Sequence, residues 1–169
     1  MASLRTSVAR NPKTNHPDTS MLSKQKVYSF CLQLINEKIN FLKQTIADLT
    51  KGGENDAKSS AGDKHETARA MLQAEQEKLS KQLGEVMEQR TVLEKINPSS
   101  APSKVSLGSL VKTDKGYLFL SVALGKIKVD NIDVITLSPA SPLGIKLMAV
   151  TSGQAVHINT VKYLVEEII

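Results

Sequence analysis

Apolar residues at Tyr28, Leu32, Ile35, Ile39, Leu42, Ile46 and Leu49 follow one another in alternating steps of four and three, the spacing of a helical seam. A second series, Leu72, Gln76, Leu79, Leu83, Val86, Arg90 and Leu93, keeps that spacing with polar interruptions at Gln76 and Arg90. Between them Lys51-Gly52-Gly53-Glu54-Asn55-Asp56-Ala57-Lys58-Ser59-Ser60-Ala61-Gly62 is rich in helix breakers, so the chain is expected to reverse there. Two helices of roughly 30 residues at ~1.5 Å per residue then make an antiparallel coiled-coil hairpin about 45 Å long. A homodimeric coiled coil or a bundle fragment fits the same periodicity.

The pattern changes after Asn97-Pro98-Ser99-Ser100-Ala101-Pro102-Ser103, whose prolines and serines end the second helix. Short β-type runs follow at Leu107 to Val111, Tyr117 to Ala123, Ile127 to Val129, Ile132 to Leu137, Ala155 to Ile158 and Tyr163 to Ile169, punctuated by Gly, Asp and Asn. Ser141-Pro142 reads as the N-cap and first position of one short helix ending near Met148. The expected organisation is an extension over 1–21, a hairpin over 22–96, a linker over 97–104 and a small antiparallel α+β domain over 105–169.

Composition narrows the function. Aromatic residues make up 4% of the chain and Trp is absent, which leaves little for base stacking or an aromatic ligand pocket. The formal charge of +5 divides as about +2 over 1–21, +2 over 22–61, −1 over 62–96 and +2 over 97–169, so no segment is polybasic. The single Cys31 rules out an intrachain disulfide, fits a reducing compartment and reads as a packing residue. His16, His65 and His157 lack zinc-ligand spacing. No membrane-length apolar run occurs, and residues 1–20 lack the apolar core of a secretory signal, so cytoplasmic residence is the expectation.

The candidate chemistry lies at the hairpin tip, where Asp63 and Glu66 stand three residues apart. One reading is a capping box, with Asp63 at the N-cap and Glu66 reaching back, both complementing the helix dipole. The other is a pair of oxygen ligands delivered into another molecule's site. A capped tip serves both, because capping holds the carboxylates in place.

Gly62-Asp63-Lys64-His65-Glu66-Thr67-Ala68 resembles the Gly-Asp-x-x-Glu-x-Ala tip signature of the Gre transcript-cleavage factors of bacterial RNA polymerase. Leu107-Gly108-Ser109-Leu110-Val111 and Leu137-Ser138-Pro139-Ala140-Ser141-Pro142-Leu143-Gly144 are similar to two segments of that family's C-terminal domain, and the likeness covers roughly 22–169 in order. It implies a coiled-coil hairpin followed by an FKBP-like domain. It also implies that the chain is not itself an enzyme: Asp63 and Glu66 would serve as catalytic ligands to a second magnesium in the polymerase active site, and the chain needs no cofactor of its own. Lys38 and Lys43 would face nascent RNA, Ser138, Ser141, Pro142 and Leu143 would dock on the polymerase, and the probe would be a monomer.

Thr67-Ala68-Arg69-Ala70 departs from the family's Asn-Ala-Glu-Tyr by losing an acid and an aromatic and gaining a cation. Ala140 stands in place of the family's Asn or Asp, and Gly153-Gln154 in place of Gly-Asp. The tip substitution keeps open a regulator that occupies the polymerase channel without promoting cleavage. A prolyl isomerase is disfavoured, since Tyr117, Phe119 and Tyr163 are too few to line a proline pocket.

Overall fold

The computed structural model describes residues 22–56 and 63–169, with backbone only at 53–56, 63 and 64. Helix α1 spans Lys24–Asp56 and helix α2 spans Asp63–Glu94. The side chain of Gln76 donates to Thr50 Oγ1 at 3.0 Å, and Ile39 and Lys43 lie beside Met87 and Thr91, so the two helices pack antiparallel. Ile35, Ile39 and Leu42 of α1 are buried with Leu79, Val86 and Leu93 of α2, the seam expected from the sequence.

Three details differ from that expectation. Helix α1 runs through Gly52 and Gly53 to Asp56, so the breakers shorten the connection and do not end the helix where they begin. Gln76 is accommodated in the seam by its bond to Thr50, whereas Arg90 lies outside it and pairs at 2.8 Å with Glu94 one turn on. Val27 and Cys31, off the heptad, are fully buried because the base of α1 is covered on a second side by the sheet.

That sheet has six strands, β1 (Leu110–Thr113), β2 (Gly116–Leu120), β3 (Gly125–Val129), β4 (Ile132–Leu137), β5 (Ala155–Ile158) and β6 (Val161–Ile168), in the order β3-β4-β2-β1-β6-β5. It is mixed and not wholly antiparallel, because β2 pairs parallel with β4, Phe119 opposite Thr136. The hairpin β3–β4 between them returns the chain on the far side of β4, which leaves β4 parallel to β2. Its two-residue turn places Asp130 and Asn131 at φ of 50° and 64°, the left-handed pair that Asp and Asn tolerate.

Side chains alternate across the strands, so each face of the sheet has its own core. Leu110, Phe119, Ile127, Val129 and Val134 point to the base of the helical hairpin and join Val27, Cys31, Leu93 and Ile96 in one cluster. Val111, Leu118, Leu120, Leu137 and Val165 point the other way and pack with Leu147 of helix α3 (Pro142–Leu147). The sheet is thus held between the hairpin and α3. At the junction Gly108 has φ 88°, and a Cβ there would meet Ile96 Cγ2 at 2.6 Å, so both backbone and space require glycine. Lys24, the first residue of α1, is buried: its Nζ donates to the Ser100 carbonyl of the linker, and burial lowers its pKa from the usual lysine range.

Candidate functional site

The carboxylate pair falls at the start of α2, whose first residue is Asp63. Glu66 is exposed in the same first turn. Residues three apart on a helix share a face, so positions 63 and 66 fall on one face of α2 at the arm's distal end. The Asp63 side chain, and with it the capping contact, lies outside the described residues. Arg69, exposed one turn after Glu66, adds a cation to that face.

The tip is remote from the sheet. Twenty-six residues separate Asp63 from Gln89, which lines a cleft with Ser138, and at ~1.5 Å per residue that is about 39 Å along the helix. The structure therefore keeps the tip residues apart from Ser138, Ser141, Pro142 and Leu143.

Those four are brought together by α3. Ser141 is its N-cap: the Gly144 N–H donates to Ser141 Oγ at 3.0 Å, and that hydroxyl donates to the Ser138 carbonyl at 2.7 Å. Ser138 Oγ accepts from the Ala140 N–H at 3.1 Å. Ser141 is thus committed to holding the turn, Leu143 is half-buried against the α3 core, and Pro142 presents the exposed surface of the segment. Gly144 lets the turn close, because a Cβ there would lie 2.1 Å from the Ser138 carbonyl oxygen.

Lys38 and Lys43 are both exposed on α1, but five helical residues rotate them by about 140° relative to each other. They do not form one stripe. Lys43 borders a groove between the helices with Met87, Thr91 and Glu94, whereas Lys38 is exposed on α1 outside the residues that line that groove.

One feature gives no signal in the sequence. A cleft of about 570 Å³ lies between α2 and the sheet, walled by Val92, Leu107, Val122, Pro139 and Ala140, with Glu85 and Glu88 at its α2 side. Gln89 and Ser121 both line this cleft, and Gln89 Oε1 and Ser121 Oγ are the buried side-chain oxygens without a hydrogen-bond partner among the described residues. Neither residue belongs to a recognisable motif. Only the docking of α2 on the sheet brings them together.

Among the described residues no three His, Cys, Asp or Glu side chains cluster as a metal site, and no helix is long and apolar enough to cross a membrane. No protein-family model matches the chain, and no curated protein matches its sequence.

Proposed function

We propose that this chain is a Gre-like elongation factor, with α1 and α2 as its coiled-coil arm and the region over 105–169 as an FKBP-like domain that docks on RNA polymerase. The observation that carries the reading is the placement of Asp63 and Glu66 in the first turn of α2, about 39 Å along that helix from the cleft at the sheet. A carboxylate pair so far from the cleft at the sheet is suited to completing a site in another molecule.

Asp63 and Glu66 offer hard oxygen donors on one helix face, the donor type that suits magnesium. In the polymerase active site they would hold the second of two metal ions, which when bound supplies a water activated for attack on a phosphodiester. The chain's own contributions are reach, orientation and charge. The buried seam of Ile35, Ile39, Leu42, Leu79 and Val86 stiffens the arm, and α2 fixes the spacing of positions 63 and 66. The α3 turn, with Pro142 exposed, would provide the docking surface, and Lys43, exposed on the arm, would offer positive charge to displaced RNA.

Arg69 supports a second reading. A cation one turn from Glu66 on the same face opposes metal binding there, as expected of a regulator that occupies the channel without promoting cleavage. Titrating the chain into backtracked elongation complexes separates the two. Shortening of the transcript from its 3′ end supports the factor, and binding with slowed elongation and no shortening supports the regulator.

A further inference from the structure

We propose that the cleft between α2 and the sheet is a docking site for a basic, amphipathic polypeptide segment of a partner protein. Its α2 wall is one helical face, because Glu85, Glu88 and Val92 follow one another at spacings of three and four. The opposite wall includes Leu107, Pro139 and Ala140. Leu107 and Ala140 are exposed and Val92 and Pro139 half-buried, so apolar surface is open to an incoming side chain.

Charge decides which apolar partner fits. Every charged residue lining the cleft is an acid, although the chain as a whole carries +5. Glu85 and Glu88 are exposed, and neither forms an ion pair among the described residues. Glu88 also borders the groove of Lys43 and Arg90 without pairing to either. Two carboxylates one turn apart repel each other, and an approaching cation relieves that repulsion. Phosphate groups are repelled by the same edge, which sets this surface apart from one that binds nucleic acid. A polypeptide meets both demands. Its apolar side chains fill the space beside Val92, Leu107 and Pro139, and a neighbouring Arg or Lys reaches Glu85 and Glu88 while its aliphatic stem packs on the same walls. The volume of about 570 Å³ suits a few side chains, so the partner contributes a short segment.

Ser138, Pro139 and Ala140 line this cleft and lead into the α3 turn assigned to polymerase docking. That the segment belongs to the polymerase rests on the functional reading, whereas the chemistry that the cleft selects does not.

The test uses the full chain with three probes: a short peptide of repeated Leu-Arg units, its counterpart of Leu-Glu units, and a single-stranded RNA oligonucleotide. The expected result is that the Leu-Arg peptide shifts the Val92, Leu107 and Ala140 amide signals at low salt, while the other two leave them unmoved. Glu85→Gln/Glu88→Gln should weaken the Leu-Arg peptide roughly tenfold, and Glu75→Gln/Glu77→Gln, on the same helix outside the cleft, should not. Glu85→Lys/Glu88→Lys should transfer the response to the Leu-Glu peptide, which a folding defect would not produce. Equal response to both peptides, a response of the cleft to RNA, shifts confined to other surfaces, or Leu-Arg affinity unmoved by the changes at Glu85 and Glu88 overturns the proposal. So does the absence of any shift at millimolar peptide. None of these outcomes involves polymerase, so failure here is distinct from failure of the functional reading.

Discussion

Lys26 Nζ lies 2.6 Å from Asp130 Oδ2, joining the first turn of α1 to the tight turn between β3 and β4. Both side chains are more than half exposed, at 61% and 55%, so solvent screens the pair and it contributes about 0.2–1 kcal/mol. The fully buried Phe119, in the core shared by sheet and hairpin, is expected to contribute far more. Lys26→Met should therefore lower stability by less than about 1 kcal/mol, with the loss fading at high salt. Phe119→Ala should cost about 3–5 kcal/mol at any salt. Denaturant midpoints at two ionic strengths check both.

Cys31 should be inert in the folded chain. Burial outweighs a backbone hydrogen bond and pushes its thiol up to about 12. A raised folded pKa means that the associated stability is fully present below the unfolded thiol value near 9 and is lost as pH rises towards 12. Thiol-disulfide reagents at neutral pH should modify it only as fast as the chain opens. Rapid stoichiometric labelling in native buffer would contradict the burial.

Gly144→Ala should destabilise the α3 turn by about 2 kcal/mol or more, because the added methyl collides with the fixed Ser138 carbonyl and nothing nearby can yield cheaply. Gly52→Ala, in open space within α1, should instead stabilise by up to about 1 kcal/mol. Thermal melts of the two variants should move in opposite directions.

The long-period features of the fold were legible in the sequence, and the tertiary ones were not. The α1 seam, the Ser141 cap and the Asp130-Asn131 turn each depend on residues close together in the chain, so spacing and turn chemistry reveal them. The parallel β2–β4 pairing, the double burial of Val27 and Cys31, and the cleft of Gln89 and Ser121 depend on how distant elements meet. Gly52 and Gly53 misled because a helix tolerates glycine at a cost of ~1 kcal/mol each when its other residues support it. At the tip, the spacing of Asp63 and Glu66 was readable, but spacing alone fits a cap as well as a ligand pair.

The arm should be monomeric. Its buried seam is consumed between α1 and α2 of one chain, so among the described residues that stripe is not free to pair with another copy. Light scattering at micromolar concentration should return 18.4 kDa. A stable dimer would contradict a single probe entering a narrow channel.

The central claim is that Asp63 and Glu66 act in trans, and the most direct measurement compares wild type with Asp63→Asn/Glu66→Gln on backtracked polymerase complexes, reading transcript cleavage and complex binding together. Each change removes a charge at nearly constant shape, so the account predicts unchanged binding and cleavage reduced to the rate of polymerase alone. Cleavage by the double amide variant within a few-fold of wild type, at equal binding, would contradict it.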